Sequence, residues 1–362
     1  MKLSPGIVTG KDYKALVSSA KAGGYTIPAV NVVSSSGINA VLEAAAKNKS
    51  DVIIQISNGG AQFYAGKGLT DSFRAKVLGA ISAARHAHTV AKEYGICVAM
   101  HTDHANKSLI PWVEALIDAS EEEFQKTGKP LFSSHMLDLS EETLEDNLSE
   151  SARILQRLTP MGMSLEIELG LTGGEEDGLG SELTNDDVGN PKLYTQPQDV
   201  LRAYELLSPI GHFSVAASFG NVHGVYKLGN VKLRPEILKN SQDLVMSVKN
   251  TGEKPLNLVF HGGSGSEEEK IREAVGYGVF KMNIDTDMQF AYSHEIGKYV
   301  KEHSKAFDFQ IDPDDGTPYK KQYDPRAYLR KGEEGIIQRL SESFSILGSR
   351  EKSLAQAPSE IA

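Results

Sequence analysis

The sequence predicts an α/β fold: a (β/α)8, or TIM, barrel with an N-terminal capping helix and a C-terminal helical extension. Three observations predict it. Eight short apolar runs recur along the chain, a helical pattern follows each one, and the runs lead into polar residues suited to chemistry. Strands that alternate with helices build a parallel sheet, and eight such units over roughly 280 residues close into a barrel. An open doubly wound sheet is the alternative reading of the same alternation. The 362 residues suit a single domain, with the barrel over about 24–305 and the extension over about 306–362.

Taken in order, a helix over about 10–22 covers the closed end of the barrel. The first run, YTIPAVNVV (25–33), carries Asn31 at its end and leads to a helix at 37–49. The second, DVIIQIS (51–57), ends at Ser57; a Gly-rich loop, NGGAQFYAGKG, separates it from a helix at 72–94. The third, ICVAMHTD (96–103), runs into HTDH before a helix at 107–127. The fourth, PLFSSHMLD (130–138), ends at Asp138 and precedes a helix at 141–158. The fifth, MSLEIELG (163–170), ends near Glu168; a long loop from Gly173 to about Thr195 then leads to a helix at 197–208. The sixth, HFSVAASFG (212–220), runs into SFGNVHG and a helix at 234–250. The seventh, LNLVFHGG (256–263), runs into HGGSG and a helix at 267–275, and the eighth, GVFKMNID (278–285), into NIDTD and a helix at 287–304. The tail beyond Phe307 holds a Pro/Asp-rich loop, a YDPR turn and a final helix near 333–347. The loops after the second and fifth strands are longer than simple connections need, which marks them as lids or binding loops.

Composition narrows the function. Hydrophobic residues make up 40% and charged residues 24%, values of an ordinary globular chain. A formal net charge of −10 argues against nucleic acid or a membrane surface as partner, and a bound phosphate must then be held by local devices. The one cysteine, Cys97, excludes an intramolecular disulfide and points to the reducing cytoplasm. It lies in the apolar run ICVAM and reads as a buried small hydrophobe. The N-terminal segment has no apolar h-region, and no stretch approaches the roughly 18 apolar residues of a membrane span.

In a barrel all strand ends lie on one rim, the C-terminal face, where active sites form. Among ten histidines, His86, His88, His294 and His303 lie in helical segments and read as solvated or packing residues. His135 and His212 fall inside strand runs; His101 shares strand parity with Asp103 and reads as a structural or supporting residue. His104, His223 and His261 directly follow strands three, six and seven. One such histidine is usually structural, but three on one rim form a ligand set for a catalytic divalent ion with an open position. Imidazole donors favour zinc over magnesium. Asp103 points away from its neighbour His104 and is placed as a base, with orientation of a histidine as its other reading. Glu175 and Glu176 sit in TGGEEDG, a loop with glycines that suits a mobile general base. Glu166 and Glu168 share one face of strand five and need partners if buried; Glu168 with Asp138 makes a second cation site or an ion-paired core. HGGSGS and NIDTD, after strands seven and eight, fit a barrel phosphate site. Ser57-Asn58-Gly59-Gly60 offers another, and Lys227, Lys281 and Arg326 are basic residues for it.

The blocks NVVSSSGINAVLEAA, SNGGAQFYAGKG, HTDHANK, KPLFSSHMLDLSEE, LEIELGLTGGEEDG, YTQPQDV, SFGNVHGVYKLGNVKL, FHGGSGS, KMNIDTD and YDPR resemble the class II, metal-dependent fructose-bisphosphate aldolases nearly end to end. The long GGEEDG insertion and extended tail resemble the larger, dimeric branch of that family. The resemblance implies reversible cleavage of fructose 1,6-bisphosphate to dihydroxyacetone phosphate and glyceraldehyde 3-phosphate through a zinc-stabilised enediolate, by a cytoplasmic homodimer. It implies that His104, His223 and His261 bind zinc, with Glu168 and Asp138 at a second or displaced metal position. Asp103 is implied to exchange a proton with the C4 oxygen, and Glu176 with the reacting carbon of dihydroxyacetone phosphate, supported by Glu175. Asn283 is implied as an enediolate contact, with Asn31 and Lys227 as further substrate contacts. Gly262, Ser264, Asp285 and Thr286 are implied to hold one phosphate, and Ser57 and Arg326 the other, with Arg326 acting from the partner subunit. Val222, Gly224, Gly262 and Ser264 resemble a site for K+ or Na+. A Schiff-base aldolase using Lys281, and a phosphorylated-sugar hydrolase using the same metal, are the rival chemistries; tagatose 1,6-bisphosphate, different only at C4, is the rival substrate.

Overall fold

The computed structural model describes residues 2–170, 173–176, 179–181, 194–223, 233–262 and 266–356. The eight expected strands are all present: β1 (Ile27–Asn31), β2 (Val52–Ile56), β3 (Cys97–Thr102), β4 (Ser134–Leu137), β5 (Ser164–Leu169), β6 (Phe213–Ala217), β7 (Leu258–Phe260) and β8 (Val279–Ile284). Each pairs in parallel with the next, and β8 returns to β1 through Lys281–Ile27 to Ile284–Val30, so the barrel is closed. A two-residue strand at Gly6–Ile7 adds to the start of β3.

Alternation along the strands sorts the core into two bodies. Outward residues such as Val30, Ile54, Val98, Met100, Ile167, Val215 and Phe260 are buried against the surrounding helices. Inward residues at the strand starts, among them Ile27, Ile53, Cys97, Ala99 and Val259, bury instead against Tyr13, Leu16, Val17 and Ala20 of α1 (Gly10–Gly23). That helix therefore floors the barrel, as the sequence predicts. Further inward, near the strand ends, the lumen turns polar.

The connecting helices begin where the sequence signals them. Ser34 caps α2 (Ser35–Asn48), and Pro at the first turn opens α7 (Pro197–Leu207). Asp71 caps α4 (Ser72–Val90) and Thr143 caps α6 (Leu144–Leu158), each accepting from a backbone N–H three residues on. The expected Gly-rich loop after β2 is instead helical: α3 (Asn58–Ala65), with the Ser57 hydroxyl accepting from Gly60 N. The expected Gly173–Thr195 loop carries a strand pair, Gly173–Glu176 antiparallel to Leu179–Ser181. The final helix, α13 (Pro325–Ile346), starts at the YDPR segment, earlier than the pattern suggested, and packs on α2 and on α10 (Thr286–Glu302). No helix among the described residues is long and apolar enough to cross a membrane.

Candidate metal and active site

His104 follows β3, Glu168 lies in β5 and His261 follows β7. Barrel closure brings one ligand-type atom from each within 4.8 Å of the others. Glu168 Oε2 lies 3.5 Å from Nδ1 of His104 and 3.5 Å from Nδ1 of His261. The two rings meet edge-on with centroids 4.6 Å apart. Two imidazoles and a carboxylate at these separations are a suitable donor set for a borderline divalent ion, so the residues present fit the expected metal.

Asp138, at the end of β4, bonds His104 Nδ1 at 3.0 Å and accepts from the backbone N–H and hydroxyl of Ser140. Burial opposes its charge, but His104 and Ser140 outweigh that and hold the carboxyl well below the usual range. Glu168 shifts the other way, raised by burial and by the nearby charge of Asp138. The two acids expected at a second cation site thus both approach Nδ1 of His104, at 3.0 and 3.5 Å.

On the far side of His261, Nε2 bonds Glu166 Oε1 at 2.8 Å. Lys281 Nζ, reaching across the lumen from β8, lies 2.9 and 2.8 Å from the two Glu166 oxygens. His101 lies against the same carboxylate, with Nε2 3.6 Å from Oε2, and its Nδ1 bonds Ser134 Oγ at 2.7 Å. Burial disfavours charge on Glu166, yet Lys281 and the histidines keep it ionised; burial and Lys281 push His101 far down, so that ring is neutral. In His261, burial is outweighed by hydrogen bonds to Glu166 and Glu168, which lift its pKa to about 9. Lys281 is bound into an ion pair and is not the free amine that a Schiff base requires.

Asp103 is buried at the rim. Its Oδ2 accepts from Asn31 Nδ2 at 2.6 Å and its Oδ1 from Asn283 Nδ2 at 3.3 Å. Asn31 Oδ1 accepts in turn from Gln55 Nε2 at 2.5 Å. Asp103, Asn31 and Asn283 are therefore brought together as expected. Gln55 was missed, although an amide inside DVIIQIS, in phase with Ser57, was a visible signal. The Glu166–Lys281 pair was missed as a pair, because β5 and β8 are not neighbours in the barrel.

Gly262 continues from β7 with left-handed backbone (φ 60°), and Asp285 and Thr286 lie where β8 passes into α10. The Asp285 carboxylate accepts from Gln289 Nε2. The Arg326 side chain is 90% exposed and pairs with Asp324. His135 bonds Thr102 and His212 bonds Ser164, both as structural residues.

The expectations for Ser264, Lys227 and Gly224 lie outside the described residues, as do those for the side chains of Glu175, Glu176, Val222 and His223. The backbone of these last four is described. Val222–His223 pairs in parallel with Gly173–Gly174, so one small sheet holds the acidic segment beside the residue after β6 that was expected to bind metal.

Comparison with known proteins agrees with this geometry. The family model described as fructose-bisphosphate aldolase class-II matches residues 11–352. A fructose-bisphosphate aldolase of Haemophilus influenzae is 54% identical over 350 residues, covering 95% of this chain and 96% of that protein. The fructose-bisphosphate aldolase class 2 of Escherichia coli K12 is 50% identical over 352 residues, covering 96% and 97%. A crystal structure of the fructose-bisphosphate aldolase of Campylobacter jejuni superposes with a TM-score of 0.88 at 51% identity, covering 98% of this chain and 100% of that one.

Proposed function

Because this chain belongs to the class II fructose-bisphosphate aldolase family, we propose that its rim site cleaves fructose 1,6-bisphosphate to dihydroxyacetone phosphate and glyceraldehyde 3-phosphate. It is a metal-dependent lyase in which His104, His223 and His261 hold the ion, and Glu168 and Asp138 offer it a second position. Imidazole donors favour zinc. The observation that carries this reading is the His104–Glu168–His261 cluster on the rim that also holds the amide-anchored carboxylate of Asp103.

The bound ion supplies Lewis-acid stabilisation of the charge that builds on the C2 oxygen as the C3–C4 bond breaks. Asp103 takes the C4 hydroxyl proton as the aldehyde product leaves. Its oxygens are steered by Asn31 and Asn283, which limits the orientations it samples. Asn283 also contacts the reacting oxygens, and Asn31 and Lys227 bind the sugar. Glu176 returns a proton to the reacting carbon, with Glu175 supporting its strand. Gly262, Ser264, Asp285 and Thr286 grip one phosphate; the left-handed Gly262 and the N-terminus of α10 support this. Ser57 and Arg326 take the other phosphate. The outward position of Arg326 fits its acting in the partner site of a homodimer. Val222, Gly224, Gly262 and Ser264 hold an activating K+ or Na+. The single cysteine, buried, supports a cytoplasmic setting.

The test is kcat/KM on fructose and tagatose bisphosphates, before and after chelation and zinc return. Two triose phosphates should form from the fructose compound, stop with chelation and resume with zinc. Preference for tagatose would overturn the substrate. Chelator-resistant activity with borohydride trapping on Lys281 would overturn the metal chemistry.

A further inference from the structure

We propose that Lys281 is a positioning residue for the metal site, acting through Glu166 on the imidazole of His261. This rests on the metal-site reading above and adds to it what decides which ring nitrogen His261 presents.

Lys281 and Glu166 have side-chain exposures of 1% and 2% and lie on β8 and β5, opposite each other in the lumen. A lysine is almost never buried unless paired. This one spans the barrel to bind both oxygens of one carboxylate, at 2.9 and 2.8 Å. Contact with both oxygens fixes the plane of the carboxylate. Oε1, held in that plane, also accepts from His261 Nε2 at 2.8 Å. An ionised carboxylate only accepts, so Nε2 carries the hydrogen. When His261 gives up its second proton to bind an ion, the lone pair is then on Nδ1, the atom facing the Glu168 oxygen and the ligand cluster. A carboxylate behind a ligating histidine fixes its tautomer and ring direction in this way.

Without the lysine, nothing among the described side chains grips both oxygens. His101 Nε2, 3.6 Å from Oε2, is then positioned to draw the carboxylate toward itself. His261 would keep its place in the chain but lose its fixed acceptor. Lys281 touches neither substrate nor ion in this scheme; its whole effect passes through Glu166.

The experiment measures zinc affinity of the full-length protein by chelator competition, with the visible spectrum of the cobalt(II)-loaded protein as a second readout. Five proteins are compared: wild type, Lys281→Met, Lys281→Arg, Glu166→Gln and the double variant of Lys281→Met with Glu166→Gln. Near-UV circular dichroism establishes which are folded. A folded Lys281→Met should bind zinc about 10–100-fold more weakly with an altered cobalt spectrum, and Lys281→Arg should recover most of that loss. On the Glu166→Gln background, Lys281→Met should cost nothing further, because its route is already cut. That last comparison decides the matter if the single methionine variant does not fold, since the double variant leaves no unpaired buried charge. Wild-type affinity in a folded Lys281→Met, or a further loss on the glutamine background, overturns the proposal. Failure of wild type itself to bind zinc or cobalt would instead overturn the metal-site reading.

Discussion

Asp103 depends on two amides for its direction. With Asn31 on one oxygen and Asn283 on the other, it is fixed beside the ligand cluster without being part of it. Removing its carboxylate should therefore remove proton transfer and leave metal binding. Asp103→Ala is expected to lower kcat by about 10²–10⁴-fold with bound zinc per subunit unchanged. Loss of zinc together with activity would mean that Asp103 supports His104 instead. His104, Asp103, Asn31 and His261 were legible because each lies at or directly after a strand end, where parity and rim position follow from the run itself. Gln55 and the pairing of Glu166 with Lys281 are not legible in the sequence, because the partners lie on other strands and only the closed register brings them together.

The elements that differ from expectation differ at glycines. NGGAQFYAGKG reads as a loop because glycine is a poor helix former, and the final helix, expected near 333–347, begins in that reading just after Gly332. In the structure Gly60, Gly332 and Gly335 lie close against neighbouring groups, Gly66 and Gly68 have open space, and Gly79 of α4, which packs on α3, is the tightest of those named. A methyl on Gly79 of α4 would lie 1.7 Å from the Ala61 carbonyl oxygen of α3, and one on Gly335 would lie 2.3 Å from the Ala291 carbonyl oxygen of α10. Close approach of backbones outweighs local propensity, and a single sequence does not show which glycines serve it. Gly79→Ala should thus force α3 away, destabilise the protein by about 1–3 kcal/mol and raise KM, since Ser57 caps that helix. Gly297, in the interior of α10, has open space where its methyl would go, and Gly297→Ala should stabilise by about 0.5–1 kcal/mol. Urea midpoints of the two variants check both; equal effects would contradict the packing account.

At the scale of the whole barrel, the eight strands and the N-terminal helix follow from their apolar runs, because a buried parallel strand is apolar on both faces except where the lumen opens, while the closed strand order decides against the open-sheet alternative. The rim sheet of 173–176, 179–181 and 222–223 does not, as glycine and acidic residues carry no strand signal. Closure also has a cost. It traps neutral histidines: burial lowers His135 to about 3, and burial, with Lys14 and Lys21 nearby, lowers His212 to about 4. In the unfolded chain both titrate near 6.5. Between pH 6.5 and about 4 the unfolded state therefore binds more protons than the native one, so stability is full above that window and falls as pH drops through it. For His212 the displacement corresponds to about 3 kcal/mol across the window. His212 bonds Ser164 and Asn257 at the closed end of the barrel, remote from the ligand cluster. His212→Gln keeps a polar group there but cannot take the proton. Its unfolding free energy, measured in urea from pH 7 to 4.5, should fall less steeply than wild type by up to about 1.4 kcal/mol per pH unit. Parallel slopes for the two proteins would show that the acid sensitivity of the barrel arises elsewhere.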